Sequence, residues 1–140
     1  MKNIFVDTNV IIDFLGNRES FSNAATELFD LYEGNKKKIF VSAISYTNVY
    51  YLLYKQIKSH KEVISLLNTL FDLTELIDVN KNIISQSLHS NFSDFEDSVQ
   101  FYSAMSNAKI DIIVSRDKKG FKKSNLPVLD VEQALRICNQ

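Results

Sequence analysis

At 140 residues, with 45% hydrophobic content, three Gly and one Pro, the chain has enough material for a packed core, which excludes a disordered chain. A single cysteine, Cys138, excludes an internal disulfide and a cysteine-cluster zinc site, and points to a reducing compartment. A net charge of −1 excludes a uniformly basic nucleic-acid binder, so charge placement has to be read locally.

The expected organisation is one domain over residues 1–140. Met1-Lys2-Asn3 leads directly into an apolar run, Ile4-Phe5-Val6, which lacks polar alternation and reads as a strand buried on both faces. Asp7-Thr8-Asn9 interrupts the run before it resumes at Val10. Asp7 thus stands at the carboxyl end of a strand, where it serves either as the cap of the next helix or as a functional acid. Ala25, Leu28, Phe29 and Tyr32 recur at helical spacing, with Gly34 placed to end that helix. Residues 39–42 form a second short strand, and Tyr46, Val49, Tyr50, Leu53, Tyr54 and Ile57 mark a long helix. Ser59 with Glu62 opens another helix by a capping-box pattern. Residues 75–79 alternate like a strand, and Asn80 is placed to cap a helix over Ile83, Ile84 and Leu88. Ser93 with Glu96 is a second capping-box pattern, ahead of Phe95, Val99, Tyr102 and Met105. Residues 110–114 and 127–129 supply the last strands, and Asp130 with Gln133 opens the final helix. Strands alternating with helices imply a short parallel sheet covered on both faces. No apolar run is long enough to span a membrane and no signal peptide precedes the first strand, so the expected location is the cytoplasm.

Three acids fall where such a sheet would bring them together. Asp7 ends the first strand, Asp97 lies in the first turn of the helix after Ser93, and Asp117 follows the strand 110–114. Singly, each has a structural explanation: a cap, a helix-start charge, a solvated turn. Together they repel, at roughly 4 kcal/mol per pair at 4 Å with an effective dielectric near 20. A hard divalent cation, Mg²⁺ or Mn²⁺, offsets that repulsion and promotes hydrolysis of phosphodiesters. Thr8 and Ser115 are hydroxyls beside key acids, suited to hydrogen-bonding the carboxylates or the waters of a metal, or equally to satisfying local backbone. Asn9 is placed to fix the loop after the first strand. Arg116, Lys118 and Lys119 flank Asp117 and form either a rim for a phosphate backbone or a solvated loop. Tyr51 leaves the stripe formed by Tyr46, Tyr50 and Tyr54, which makes it the better interface candidate.

Three segments resemble those of PIN-domain ribonucleases: Val6-Asp7-Thr8-Asn9-Val10, Phe95-Glu96-Asp97-Ser98, and Val114-Ser115-Arg116-Asp117 followed by Phe121. The resemblance runs through essentially the whole chain in order. It implies a PIN-like three-layer α/β/α fold with a short parallel central sheet, and Mg²⁺- or Mn²⁺-dependent cleavage of RNA. Asp7, Asp97 and Asp117 match the family's metal-binding acids. Small proteins of this kind are often VapC-like toxins, which implies an antitoxin partner and a homodimer. Two positions depart from the pattern. Asn48 stands where Glu is usual, keeping an oxygen but losing charge and reach, and Gly120 stands where another acid is common. Asp94 is the candidate to replace the missing charge. A degenerate PIN domain that binds RNA or a protein without cutting is the alternative. A receiver domain fits less well, because the strand at 39–42 ends in Ser42 rather than in a phosphoacceptor Asp.

Overall fold

The computed structural model describes residues 1–16 and 21–139. The order of elements is β1 (Ile4–Val6), α1 (Thr8–Leu15), α2 (Ser22–Tyr32), β2 (Ile39–Ser42), α3 (Ala43–Ile57), α4 (His60–Leu73), β3 (Glu75–Ile77), α5 (Lys81–Leu88), α6 (Phe95–Met105), β4 (Ile112–Val114), β5 (Val128–Leu129) and α7 (Val131–Cys138). A single 3₁₀ turn, Lys118–Phe121, lies between β4 and β5. The strands pair in the order β3-β2-β1-β4-β5, all parallel. This is the PIN-like α/β/α arrangement the sequence implied.

Strand alternation sorts the core into two layers. Ile4 and Val6 point to one face, where they meet Val10 and Ile11 of α1, Leu28 of α2, Val49 and Leu53 of α3, and Leu135 of α7. Phe5 points to the other face, against Phe40, Phe101 of α6 and Phe121 of the 3₁₀ turn. Phe5 is inaccessible to solvent, and a fully buried side chain of this size stabilises the fold by about 1.5–3 kcal/mol. Because β1 is covered on both sides, it carries no polar residue until it ends at Asp7. Among the described residues, no helix is long and apolar enough to cross a membrane.

Local chemistry sets the helix ends. Asn80 caps α5 through Ile83 N at 2.9 Å, and Asp130 and Gln133 cap α7 reciprocally. Ser59 accepts from Glu62 N at 3.2 Å at the start of α4. Chain reversal after α2 uses Gly34 at φ 71, whereas α3 ends with Lys58 itself in the left-handed region. The expected pairing of Ser93 with Glu96 is not what opens α6. Asp94 is the cap, with Oδ1 accepting from Asp97 N at 3.0 Å. Two candidate caps stand one residue apart here, and the carboxylate cap prevails, which leaves the Glu96 side chain free of the backbone.

Candidate active site

All carboxyl ends of a parallel sheet lie along one edge. From β1 the chain crosses to β2 on one side, while β4 pairs on the other, so a crevice opens outside the ends of β1 and β4. Val6 and Val114 are in register, and Asp7 N donates to Val114 O at 2.9 Å. The next residues along, Asp7 and Ser115, are therefore side by side, and Ser115 Oγ donates to Asp7 Oδ2 at 2.8 Å. Asp7 is also the N-cap of α1, accepting from Thr8 N at 2.8 Å on Oδ1. The cap and the functional-acid readings of this residue are thus compatible. A third donor comes from α6. Gln100, wholly buried, directs Nε2 to Asp7 Oδ1 at 3.2 Å, Thr8 Oγ1 at 3.1 Å and Ser45 Oγ at 2.8 Å. This network ties α1, α3 and α6 together beneath the strand end. Burial pushes the Asp7 carboxyl above its ordinary range, Ser115, Thr8 N and Gln100 pull it back, and Asp117 adds to the rise.

Asp97 enters from the first turn of α6 and Asp117 from the loop after β4. They approach each other across Gly120. A Cβ at position 120 would collide with the Asp97 carboxylate and stand 3.2 Å from Asp117 Oδ2. Gly120 is therefore the space into which Asp97 fits, and a side chain there would displace it. Asp117 is held in turn by its own N donating to Ser115 Oγ at 3.0 Å and by accepting from Gly120 N at 3.3 Å. The Asp97 carboxyl is pushed up to about 7, first by burial and then by Asp94, Asp7, Asp117 and Glu96.

A cavity of about 300 Å³ opens among Asp7, Thr8, Asn9, Asp94, Glu96, Asp97, Arg116 and Asp117. Five of these are acids. Their charges converge on shared space rather than on one point: among the described residues, no three acidic, His or Cys side chains form a ready-made cation cage. The donor set is hard carboxylate oxygen, which suits Mg²⁺ or Mn²⁺, and Mg²⁺ takes only one or two carboxylates directly while retaining waters.

Residues 3–119 match the family described as PIN domain. The chain belongs to the PIN domain family. It is 28% identical over 135 residues to a protein named Ribonuclease VapC1 from Aquifex aeolicus (strain VF5), covering 93% of this chain and 91% of the relative. Among solved structures it is similar to Mycobacterium tuberculosis VapC20, a sarcin-ricin loop cleaving toxin, at 16% identity and TM-score 0.65, covering 86% of this chain and 95% of that one. It is also similar to a toxin–antitoxin complex from Klebsiella pneumoniae, at 19% identity and TM-score 0.63, with 93% and 98% covered.

The remaining candidate residues occupy distinct places in this PIN domain. Asn9 lies within α1 rather than in a loop after β1; its Nδ2 reaches Ser115 Oγ at 3.4 Å and its Oδ1 accepts from Arg116 N at 3.2 Å, which ties α1 to the segment after β4. Arg116 Nε is engaged by Asp13 Oδ2 at 2.6 Å, and its guanidinium lies 4.4 Å from the Phe21 ring centre. It stands between the acidic cavity and a second one of about 360 Å³ beside Asp13, Phe21 and Glu132. Lys118 Nζ donates to Gln133 Oε1 at 3.0 Å, and Lys119 is exposed. Asn48 is half-buried on α3, and it is not among the residues lining the acidic cavity. Sequence reasoning passed over Glu96, Gln100 and Ser45. The usable signal was spacing: Gln100 follows Glu96 by four residues and Asp97 by three, so all three share one face of α6.

Proposed function

We propose that this PIN domain is a Mg²⁺- or Mn²⁺-dependent endoribonuclease that hydrolyses RNA phosphodiester bonds, and that it is the toxin of a type II toxin–antitoxin pair. The observation that carries this reading is a crevice at the ends of β1 and β4 into which Asp7, Asp97 and Asp117 converge, while the one cation lining it among the described residues, Arg116, is bound to Asp13. In this reading Asp7, Asp97 and Asp117 hold the ion. Gly120, whose missing Cβ makes room for Asp97, and the raised Asp97 carboxyl support the fit, since a cation reverses what neighbouring acids do.

When bound, the ion supplies Lewis-acid stabilisation of phosphate charge and a more nucleophilic water. The chain's own groups do the positioning. Ser115, Thr8 N and Gln100 orient both oxygens of Asp7 before any ligand arrives. Asp97 and Asp117 approach from two other elements and so fix where charge concentrates. Lys119, Lys118 and the outer nitrogens of Arg116 form a basic rim for the RNA backbone. The partners in this reading are RNA, an antitoxin and a second copy of the chain, and the setting is the cytoplasm. The named ribonuclease relative and the toxin–antitoxin complex with the same fold support it.

Asn48 at the family's Glu position favours one other reading, a domain that binds RNA or a protein without cutting. Highly purified protein incubated with RNA separates the two. Cleavage with Mg²⁺ or Mn²⁺ that stops in EDTA is the expected result. Retention of intact RNA in all three conditions supports the non-cutting domain.

A further inference from the structure

The end of the sheet away from the crevice carries the opposite charge. Lys2 precedes β1, Lys36-Lys37-Lys38 precedes β2, and Lys109 stands shortly before β4. All five lysines are exposed. β1 lies between β2 and β4, so these segments run side by side along the amino edge. One buried side chain, Asn3, holds them there. Its Oδ1 accepts from Lys38 N at 2.8 Å and its Nδ2 donates to Lys109 O at 3.0 Å. Tyr32 Oη donates to Lys2 O at 2.6 Å. These bonds use the backbone of the lysines and leave their ammonium groups uncommitted. Among the described residues, none of the five is in an ion pair. The acids of the same segments are Glu33 and Asp111, and Asp111 Oδ2 is taken by Asn3 N at 3.0 Å.

We propose that this amino edge is a second RNA-binding surface, on which Lys2, Lys36, Lys37, Lys38 and Lys109 hold the phosphate backbone. The choice of RNA rests on the ribonuclease reading above; the surface itself does not. A polyanion entering the crevice meets Asp7, Asp97 and Asp117, so attraction has to come from elsewhere on the molecule. Two of the cations beside the crevice are already engaged, Arg116 with Asp13 and Lys118 with Gln133. The lysines of the amino edge are not. β1 separates Lys2 from Asp7 by roughly 16 Å, at about 3.3 Å per residue. That exceeds the Debye length of about 8 Å at physiological salt, so the acids of the crevice do not cancel the field of this edge.

The composition of the edge favours a phosphate backbone over a folded protein or a membrane. Residues 33–38 and 107–109 expose no large apolar side chain. Protein interfaces are anchored by aromatic residues and Arg and are poor in Lys. Membrane-surface binding needs apolar area to bury. Phosphate contacts need neither, because they draw on point charges and on the release of counterions. The three lysine-bearing segments also lie in a row, one beside each of three strands about 4.8 Å apart, which suits a linear chain of charge.

Fluorescence anisotropy with labelled poly(U) in EDTA, from about 50 to 200 mM salt, tests this without any cleavage. The proteins are wild type, Lys36→Gln/Lys37→Gln/Lys109→Gln, the independent pair Lys2→Gln/Lys38→Gln, and a control of equal charge, Lys55→Gln/Lys61→Gln/Lys81→Gln. The control lysines are exposed and belong to α3, α4 and α5. Each phosphate contact with a single strand contributes about 0.7 to the slope of log affinity against log salt. The triple variant is therefore expected to bind poly(U) at least about tenfold more weakly at low salt, with a slope shallower by about 2. The pair is expected to lose about 1.4 of the slope. The control is expected to stay close to wild type, and all four proteins are expected to melt together. Equal slopes for wild type and both edge variants overturn the proposal. An equal loss in the control also overturns it, because total charge and not its place would then decide binding. A wild type that ignores poly(U) but binds poly-L-glutamate overturns the choice of RNA over an acidic protein. Failure of the ribonuclease reading shows separately, as intact RNA in Mn²⁺, and leaves binding in EDTA unaffected.

Discussion

Helix α1 has a buried aspartate at each end, and the fold treats the two in opposite ways. Asp13, near its C-terminus, is wholly inaccessible and meets a guanidinium, with Arg116 Nε 2.6 Å from Oδ2. Asp7, at its N-terminus, is 5% exposed and, among the described residues, is met only by neutral donors: Thr8 N, the Gln100 amide and the Ser115 hydroxyl. The charged groups that act on Asp7 are other acids. An ion pair is how a chain compensates a structural acid from within. Leaving a second acid without a counter-ion, and adding Asp97, Asp117 and Glu96 beside it, is costly unless the compensation comes from outside. The contrast separates an acid that serves the fold from one that serves a ligand.

Substitutions on each side of the contrast have opposite expected effects. The largest is at Asp97. Asp97→Asn removes an acid from the unpaired group, so RNA cleavage in Mn²⁺ is expected to fall by on the order of a hundredfold or more. Melting in EDTA is expected to stay level or rise, because repulsion with Asp94, Asp7 and Asp117 is relieved. Equal cleavage with a lower melting temperature would make Asp97 a helix-start charge only. On the paired side, Arg116→Met strands the Asp13 charge in the core. That is expected to cost about 3 kcal/mol in urea unfolding, the low end for a buried pair because the guanidinium is 28% exposed. Adding Asp13→Leu is expected to restore much of it, and failure to do so would show that the pair is not the reason for the loss.

The smallest effect is a pH dependence of the metal-free protein. The Asp97 carboxyl titrates near 7 in the folded chain, against an ordinary value of about 3.9. Between those limits the folded state binds more protons than the unfolded state, so stability falls as pH rises and the loss is complete above about 7. Melting in EDTA is expected to drop from pH 4 to pH 7 in wild type, and the slope is expected to flatten in Asp97→Asn. Affinity for Mn²⁺ is expected to change in the opposite sense, rising with pH as the carboxyl loses its proton.

How much of this was legible in the chain follows from what each signal encodes. Ile4-Phe5-Val6 announced a strand buried on both sides, because a parallel strand has no solvent face to alternate for. Asp130 with Gln133 announced a reciprocal cap that forms as written. At α6, Ser93 and Asp94 are both residue types that cap helices, and the sequence alone does not say which of the two does so. Asp7, Asp97 and Asp117 were identifiable by type and position, but their meeting depends on β1 pairing with β4, which strand order alone decides. Gln100 stayed hidden because a polar residue within a helix reads as solvent-facing. Its burial comes from packing α6 over the ends of β1 and β2, a long-range event with no local trace.

The central claim is that the unpaired acids around Asp7 await a divalent cation, and thermal unfolding with added Mn²⁺ tests it most directly. A ligand that binds only the folded state stabilises it by mass action, by about 2.7 kcal/mol at a hundred times its Kd. Wild type is expected to melt progressively higher as Mn²⁺ rises to millimolar levels, and Asp7→Asn is expected to lose most of that shift. A wild-type melting temperature unmoved by millimolar Mn²⁺, or a shift of equal size in Asp7→Asn, would contradict the account.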